Sequence, residues 1–401
     1  MKAAGKIGVI GTGAIGACFV RRILAHGLPA VAHDIDPRVL EPLAAAGAEI
    51  ADDAADLASR CDVIVTCVTA PADVEDAVLG PRGVHRSVRP GSLIIETTTS
   101  TPATTRKLAS ALASKNAAVV DAPVSRGVPA AENGTLSIMA GGDRDAIERA
   151  LPILRMFGTD IILTGALGTG HVAKALNMGV LGVNFIATAE TMALGLASGL
   201  DRAKLAAEID ASDGASFVSK HHYPKYVLTE RYDSRFTFGL MRKDVGIAAE
   251  IAAGTGLPRP YLHRVVDFYD TIAPRDPNGD NTLLFPFVEA NPAPSSPAKA
   301  GAADLIETLA ATVYFGTKEA IAIAEAAGLA ARPFLEVLQA SSGGSRAIEK
   351  WLLETREEIP LQKTGAWKNA AAAVSESSLR GTLPATMTHL TWEVLCRQIR
   401  K

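Results

Sequence analysis

A strand-like run, three glycines and a helix-like run follow one another near the start of this chain, in GVIGTGAIGACFVRRILAHGLPAVAHDID, residues 8–36. Lys6 to Ile10 has the composition of a buried strand, and Ala14 to Ala25 has that of a helix. In a G-x-G-x-x-G motif the first glycine permits a tight turn, the second lets the backbone approach a pyrophosphate, and the third lets helix and strand pack closely. The predicted dinucleotide-binding loop consists of Gly11, Thr12, Gly13, Ala14, Ile15 and Gly16.

Asp34 stands 23 residues after Gly11 and ends the next predicted strand. An acidic side chain at this place accepts hydrogen bonds from the ribose hydroxyls and repels a 2′-phosphate. The next residue is Ile35, where an NADP-preferring site would usefully carry arginine. The pattern therefore predicts NAD as the cofactor in preference to NADP. In the alternative interpretation Asp34 is only a helix N-cap, although Asp36 followed by Pro37 makes a better cap and first-turn pair.

Strand and helix patterns continue to alternate as far as residue 165. This alternation predicts an α/β, Rossmann-type, doubly wound and mostly parallel sheet. Ligands of such sheets bind at the carboxyl ends of the strands, so Thr69 and Thr98 are expected to contact the nicotinamide side of the cofactor. Thr98 and Thr99 are alternatively helix caps. The later predicted strands are DVIVTCV (62–68), SLIIET (92–97), AAVVDAPVS (117–125), GTLSIMAGG (134–142) and TDIILTG (159–165).

Composition excludes several classes of function. The chain has 401 residues, enough for two or three domains, and its 48% apolar and 21% charged residues are typical of a soluble protein. The net charge of −3 argues against binding of nucleic acid. The cysteines lack disulfide or metal-ligand spacing, which favours a cytoplasmic location, and the early glycines argue against a signal peptide.

Asn177, Asn184 and Glu190 in the most apolar stretch, 175–200, predict a buried helix in place of a membrane span. The histidines lack partners at ligand spacing, so no metal is predicted; His171 is interpreted as near the cofactor or as a cap.

Two stretches carry residues suited to hydroxyl chemistry. DAPVSRGVPAAENGTLSIMAGG, residues 121–142, places Ser125 at a strand end, where N–H groups and a hydroxyl can hold a carboxylate. GALGTGHVAKALNMGV, residues 165–180, leads into a long helix with Lys174 and Asn177 one turn apart on one face. A lysine whose charge is disfavoured by burial can take a hydroxyl proton while hydride leaves for a nicotinamide.

The glycine motif, DAPVSRG, GTGHVAKALN and FTFGLMRKD (236–244) occur in this order between about residues 5 and 290, and this combination resembles the β-hydroxyacid dehydrogenases, which include 3-hydroxyisobutyrate dehydrogenase. The resemblance implies hydride transfer between NAD and a small 3-hydroxy acid or its semialdehyde, in a homodimer or larger homo-oligomer. Without the other motifs, Lys243 and Asp244 would be interpreted as a solvated charge pair. The resemblance implies Lys174 for catalysis, Ser125 and Gly127 for the substrate carboxylate, and Lys243, supported by Asp244, near substrate and nicotinamide. To these we add Asn177 as a predicted catalytic residue and Arg126 as a predicted substrate-binding residue, from their places beside Lys174 and Ser125.

Two residues depart from the family pattern. Arg126 replaces the first glycine of the usual VSGG, and its side chain either turns to solvent or adds a cation that suits a second anionic group of the substrate. Met178 stands four residues after Lys174, where the family normally has asparagine, and a thioether cannot orient a hydroxyl as an amide can. Asn177 is rotated from that place by about 100° on a helix. These departures leave open a larger or dianionic carbonyl or imine substrate, and a catalytically weak NAD-binding interaction module.

A second helical segment follows a Pro/Ala/Ser-rich linker and resembles the first. TAETMALGLASGL (188–200) aligns with TKEAIAIAEAAGL (317–329) at a shift of 129, and 9 of 27 positions are identical as far as Gly343. At this shift Lys174 faces Ala303, so the copy lacks the predicted catalytic lysine. We predict a duplicated helical domain whose copy either packs on the first as a built-in partner or reaches over the active site of another subunit. The predicted domains are 1–167 (NAD binding), 168–290 (helical, substrate and dimerisation), 291–300 (linker) and 301–401 (non-catalytic helical repeat).

Overall fold

The computed structural model describes residues 5–290 and 301–349 together with Met387, Leu390 and Thr391. The predicted linker at 291–300 lies outside the described residues. So does the part of the second helical repeat beyond residue 349, apart from the three residues just named. Contacts divide the chain into two units, which cross the predicted domain borders. Unit 1 comprises Met1–Ala175 and Ala327–Ala340, and unit 2 comprises Leu176–Ala326 and Ser341–Lys401.

Unit 1 contains a sheet whose described strands are β1 (Ile7–Ile10), β2 (Ala30–His33), β3 (Glu49–Ile50), β4 (Val63–Thr66), β5 (Leu93–Glu96), β6 (Ala118–Asp121), β7 (Val124–Ser125), β8 (Leu136–Gly141) and β9 (Gly158–Gly165). Their order is β3-β2-β1-β4-β5-β6-β8-β7, with β9 paired to β8. Strands β1 to β6 are parallel, whereas β8 is antiparallel to β6 and β7 and parallel to β9. The order 3-2-1-4-5-6 of the parallel strands is that of the Rossmann fold, as predicted.

The described α-helices are α1 (Gly16–Ala25), α2 (Glu41–Ala45), α3 (Ala54–Arg60), α4 (Pro71–Leu79), α5 (Pro102–Ala113), α6 (Gly127–Asn133), α7 (Arg144–Phe157), α8 (Thr169–Ala197), α9 (Arg202–Asp210), α10 (Phe238–Thr255), α11 (Pro260–Ile272), α12 (Leu284–Ala290), α13 (Ala302–Ala326), α14 (Ala331–Ala340) and α15 (Arg346–Ile348). A π-helix, Val218–Val227, follows α9. Unit 1 includes α14, and the long helix α8 passes from unit 1 into unit 2. The described residues after β9 thus lie mainly in helices, as predicted.

The register of the parallel strands brings their carboxyl ends into one row. Ile10 pairs with Thr66, Thr66 with Glu96, and Glu96 with Asp121. Strands β1 and β5 are buried along their whole length, because helices cover both faces of a parallel sheet and apolar runs such as IGVI and LIIE suit that environment. The loops that follow these strands consequently start at one edge of the sheet.

One predicted strand is divided. The run 117–125 forms β6 and β7, with Ala122 and Pro123 between them. Proline has no N–H to continue a strand ladder, so the parallel pairing stops and the chain turns into a short strand antiparallel to β8. This break sets Ser125 apart from the parallel strands.

Unit 2 has an apolar core formed by side chains of α8, α10, α11 and α13. Phe185, Met241, Tyr269 and Tyr314 represent these four helices in one cluster. The cluster contains large aromatic side chains, which bury much apolar area per residue. Residues of the first helical segment and of the second thus belong to the same core.

Helix α8 is long and apolar enough to cross a membrane, by length and composition alone. Its most apolar window has a mean hydropathy of 1.5, and 83% of that window is buried inside the protein. Asn177 and Asn184 on this helix are fully buried and hydrogen-bonded to protein atoms. Core helices of soluble proteins have the same properties, so the finding is weak evidence for a membrane span.

Candidate active site

The glycine-rich loop follows β1 and begins the row of loops at the carboxyl edge of the sheet. Gly11 has a φ of +85°, and a Cβ there would lie 2.4 Å from the carbonyl oxygen of Cys67. A Cβ on Gly16 would lie 1.9 Å from the carbonyl oxygen of Gly11. Both positions therefore require glycine for the turn and for close packing of helix on strand.

Gly13 lies in different surroundings, because, its chain neighbours aside, no atom of the described residues is within 4 Å of the place its Cβ would take. Helix α1 begins just after this glycine, and no side chain caps its N-terminus. Backbone N–H groups of an uncapped first turn carry partial positive charge and suit a phosphate group. The open space beside Gly13 and the uncapped helix together fit the pyrophosphate of a dinucleotide.

Asp34 connects the end of β2 to this loop. Its Oδ2 accepts a hydrogen bond from the Thr12 N–H at 2.6 Å, and its Oδ1 accepts one from the Asp36 N–H at 3.0 Å. The cap of the following short helix is Asp36, whose side chain accepts from the Arg38 N–H. Asp34 is thus placed at the glycine-rich loop, and the capping role falls to Asp36. The neighbouring Ile35 side chain is 96% exposed.

Two threonines follow the next strands of the row. Thr69 is exposed and lies two residues before the start of α4. Thr98 is buried, and its Oγ1 accepts from the Val68 N–H at 3.1 Å, which joins the loop after β5 to the loop after β4. Thr101 is the cap of α5. The alternative role of Thr98 as a helix cap is therefore not what the structure has.

The segment Ser125, Arg126 and Gly127 connects β7 to α6. Ser125 is 4% exposed, whereas Gly127 is exposed. Arg126 has a φ of 83°, a left-handed conformation that favours glycine. Its guanidinium donates to Asp160 Oδ2 at 2.6 Å and to the Thr135 carbonyl at 3.0 Å. The Arg126 side chain thus neither extends into bulk solvent nor offers an unpaired positive charge, because it forms an ion pair with Asp160.

A buried acid–base cluster formed by Glu96, Asp121 and His171 lies at the ends of β5 and β6 and at the start of α8. His171 Nε2 is hydrogen-bonded to Glu96 Oε2, and both side chains are 0% exposed. Asp121 accepts from the Gly168 N–H at 2.7 Å and from the His171 N–H at 3.1 Å. Asp121 therefore caps the N-terminus of the helix that carries Lys174.

The pKa values of His171 and Asp121 in this cluster are both raised. Burial opposes a positive charge on His171, but the attraction and the hydrogen bond of Glu96 outweigh it, with a contribution from Asp121, and the pKa of His171 is raised above 6.5. Burial also raises the pKa of Asp121, although His171 and the two N–H donors oppose this. The carboxylate of Glu96 thus favours the protonated form of His171 more than water would.

Sequence analysis missed Glu96 and Asp121. Glu96 stands two residues before Thr98, Asp121 stands four before Ser125, and each lies in a predicted strand. An acid at the end of each of two successive parallel strands was the available signal, because those ends become neighbours in the sheet. His171 is neither a cap nor a surface residue; it is the buried partner of these acids.

The remaining predicted residues divide between the two units. Lys174 belongs to unit 1, is 7% exposed and follows His171 by one turn of α8. Asn177, Lys243 and Asp244 belong to unit 2. Lys243 Nζ lies 2.9 Å from Asp244 Oδ1, and the two side chains are 25% and 5% exposed. The pair is mostly buried, in contrast to a solvated surface pair.

A parallel sheet in this strand order, with a glycine-rich loop after its first strand, defines the Rossmann class of dinucleotide-binding domains. Residues 6–165 match the family model described as the NAD-binding domain of 6-phosphogluconate dehydrogenase. Residues 168–285 match the model described as NAD-binding of NADP-dependent 3-hydroxyisobutyrate dehydrogenase. Together with the relatives below, these matches show that the chain belongs to the β-hydroxyacid dehydrogenase family, whose members include 3-hydroxyisobutyrate dehydrogenase.

Mouse mitochondrial 3-hydroxyisobutyrate dehydrogenase is 33% identical over 258 residues, which are 63% of this chain and 77% of the relative. The NAD-dependent L-serine dehydrogenase of Pseudomonas aeruginosa is 35% identical over 270 residues, 66% of this chain and 91% of the relative. A structure of Mycobacterium tuberculosis 3-hydroxyisobutyrate dehydrogenase with L-serine has a TM-score of 0.67 at 28% identity and covers 71% of this chain and 99% of that one. The similarity thus covers between 77% and 99% of the length of these three proteins.

Proposed function

We propose that this chain is an NAD-dependent dehydrogenase of small 3-hydroxy acids or the matching semialdehydes, with Lys174 as general acid and base. The observation that carries the proposal is the position of Lys174. It is nearly buried, and it lies one turn after His171 on a helix that Asp121 binds at the carboxyl edge of the sheet. Dinucleotide ligands of parallel sheets lie at this edge.

When bound, the nicotinamide supplies the hydride acceptor. Lys174 Nζ takes the proton of the substrate hydroxyl in oxidation and returns it in reduction. The Ser125 hydroxyl and the Gly127 N–H hold the substrate carboxylate, and Lys243 is a further proposed substrate-binding residue. The named activities of the relatives, on 3-hydroxyisobutyrate and L-serine, support a substrate with one carboxylate and a hydroxyl on the β-carbon.

The test is a series of initial rates, followed by nicotinamide absorbance, with 3-hydroxyisobutyrate, L-serine, other 3-hydroxy acids and dicarboxylic analogues. Turnover of a monocarboxylic 3-hydroxy acid with NAD is the expected result. Turnover restricted to a dicarboxylic or imine substrate would contradict the proposal. Because Asp160 neutralises the Arg126 guanidinium, a second carboxylate on the substrate has no free arginine to bind in this segment.

We further propose NAD as the preferred cofactor, on the basis of Asp34. Its carboxylate stands beside the glycine-rich loop, where a ribose 2′-phosphate would meet like charge. The exposed Ile35 next to it offers an apolar surface and no cation. These two side chains together favour a cofactor without the 2′-phosphate.

The double variant Asp34→Asn/Ile35→Arg is expected to lower the ratio of kcat/KM for NAD to that for NADP by about a hundredfold, equivalent to about 2.7 kcal/mol. The variant removes the repelling charge and adds a guanidinium that can bind the 2′-phosphate. Steady-state rates with each cofactor check it. Asp36→Asn is the matched control, since Asp36 caps the next turn, and its ratio should stay that of the wild type. An unchanged ratio in the double variant would contradict the assignment.

We also propose that the helical domain is duplicated and that its second copy is a built-in partner of the first. Element bounds support this at the shift of 129: α8 ends at Ala197 and α13 at Ala326, and α9 and α14 begin at Arg202 and Ala331. Gly199 and Gly328, equivalent at this shift, have φ angles of 85° and 90°. Equivalent helices thus end and begin at equivalent residues.

Reciprocal contacts within unit 2 support the pairing of the two copies. The Phe217 N–H donates to the Gly344 carbonyl at 2.9 Å, and the Arg346 N–H donates to the Ala215 carbonyl at 2.9 Å. The shift of 129 converts one bond into the other. Such an exchange is what a two-fold interface between like elements produces.

A second reciprocal pair involves two equivalent glutamates. Glu319, in the second copy, accepts from the N–H groups of Tyr261 at 3.0 Å and Leu262 at 2.8 Å, at the start of α11. Glu190, in the first copy, accepts from the Met387 N–H at 3.1 Å. Each copy thus supplies a carboxylate to backbone donors of the other.

Removing the second copy is expected to change the oligomeric state. A chain that ends at residue 294 exposes the apolar residues that now pack against Leu309, Val313 and Tyr314. An exposed apolar surface drives association. The shortened protein should therefore form particles with more chains than the full-length protein does, or aggregate. Light scattering after size-exclusion chromatography measures this. A soluble shortened chain with an unchanged number of subunits would contradict the built-in partner.

A further inference from the structure

The Asn177 side chain is engaged with the second helical segment, inside unit 2. Its Oδ1 accepts from the Gly343 N–H at 2.9 Å. Its Nδ2 donates to Ser342 Oγ at 3.2 Å and makes a weak contact with Met178 Sδ at 3.9 Å. Asn177 is 0% exposed. Both ends of its amide therefore contact protein atoms.

A second asparagine of α8 binds the same short segment. Asn184 lies two turns after Asn177 on the same side of the helix, and its Nδ2 donates to the Gly343 carbonyl at 3.2 Å. The N–H and the carbonyl of Gly343 are thus both bound by amides of α8. We call Asn177, Asn184, Ser342 and Gly343 the amide cluster.

The residues equivalent to the two asparagines are aliphatic in the other copy. At the shift of 129, Asn177 and Asn184 correspond to Ile306 and Val313, and Gly343 corresponds to Gly214. A Cβ on Gly214 would lie 3.2 Å from Leu309 Cδ2 and 3.4 Å from the Ile306 carbonyl oxygen. Gly343 is thus bound by two amides of α8, whereas Gly214 lies against the Leu309 side chain and the Ile306 backbone of α13.

This asymmetry needs a reason other than packing. Buried amides cost free energy unless every polar group is paired, whereas the aliphatic version avoids that cost. The amides are in the copy whose helix carries Lys174, and Asn177 is one turn from it. Hydrogen bonds have directions, so they fix the rotation of α8 at Asn177 more narrowly than apolar contact does.

We propose that Ser342 and Gly343 of the second helical segment are positioning residues for the reaction. They hold α8 through Asn177, which is then itself a positioning residue rather than a group that touches the substrate. The second copy thus orients the helix of the catalytic lysine within the same chain. This inference rests on the proposed function of Lys174.

The test compares Ser342→Ala, Asn177→Ala and their double variant in the full-length protein, with 3-hydroxyisobutyrate or L-serine and NAD as substrates. Ser212→Ala is the matched control, because Ser212 is in the equivalent loop of the first copy and its hydroxyl bonds only locally, to the Ile209 carbonyl and the Gly214 N–H. We expect kcat to fall about fivefold in Ser342→Ala, as for one lost buried hydrogen bond, with KM within about twofold of the wild type. Ser212→Ala should retain the wild-type kcat.

The double variant distinguishes the two roles of Asn177. If Asn177 acts through Ser342, Ser342→Ala should add little to the loss in Asn177→Ala. An unchanged kcat in Ser342→Ala, or losses that multiply in the double variant, would overturn the proposal, because Asn177 would then act on the substrate directly.

Hydrogen exchange gives a readout that needs no turnover. The Gly343 N–H should exchange about tenfold faster in Asn177→Ala than in the wild type, and at the wild-type rate in Ser212→Ala. If the Gly343 N–H exchanged at the same rate in Asn177→Ala and in the wild type, the proposed role of the amide cluster would be overturned, whatever the substrate is. Failure of the proposed function appears differently, as a wild-type protein that oxidises no hydroxy acid while this contrast in exchange persists.

Discussion

Lys174→Ala is expected to lower kcat about a thousandfold, while the dissociation constant for NAD stays within about threefold of the wild type. The loss is the typical contribution of a positioned general acid or base, and the cofactor loop lies on other elements, β1, α1 and β2. Stopped-flow or steady-state rates on the best substrate of the series, together with calorimetric titration of the protein with NAD, measure the two quantities. Lys115→Ala, which removes an exposed lysine of unit 1, is the control for charge and should retain full activity.

The pattern of the loss identifies the role of the lysine. If Lys174 moves the proton, kcat and kcat/KM fall together. A small primary amine added to the solution then restores part of the rate, because it enters the vacated space and takes the proton in place of the side chain. A rise in KM at constant kcat would show that Lys174 only binds substrate. That result would overturn its role as acid and base.

Glu96→Ala is expected to lower the free energy of unfolding by roughly 3–5 kcal/mol, because it leaves His171 buried without its carboxylate partner. Thermal or denaturant unfolding followed by circular dichroism measures this. Glu75→Ala is the matched control: Glu75 pairs with Lys107 on the surface, and loss of that pair should cost about 0–1 kcal/mol. A loss in Glu96→Ala no larger than in Glu75→Ala would contradict a charged buried pair.

The same variant has a pH dependence of definite sign. The pKa of His171 is raised above its ordinary 6.5 in the folded protein. The stabilisation from its protonation is therefore fully present below pH 6.5, and it is lost as the pH rises through the folded-state pKa. The difference in unfolding free energy between wild type and Glu96→Ala should shrink over that range. A difference that grows with pH would show that His171 is neutral in the fold.

Much of the nucleotide domain was predictable because its signals are local. Gly11 and Gly16 leave no room for a Cβ, and both belong to one motif of six residues that is visible in the sequence. The alternation of apolar runs indicates a parallel sheet without knowledge of any contact. Asp34 follows from the same logic, since it ends the strand next to β1. The chemistry of Lys174 was inferred from residue type and resemblance, and it stays a proposal.

The surroundings of the functional side chains were not predictable in this way. His171 meets Glu96 across 75 residues, Arg126 meets Asp160 across 34, and Asn177 meets Gly343 across 166. The sequence allowed several positions for each of these side chains, since a histidine before a helix or an arginine in a turn has no unique partner. The packing of distant elements selects one partner, because burial removes water as the alternative and leaves only the groups that the fold brings within hydrogen-bond distance.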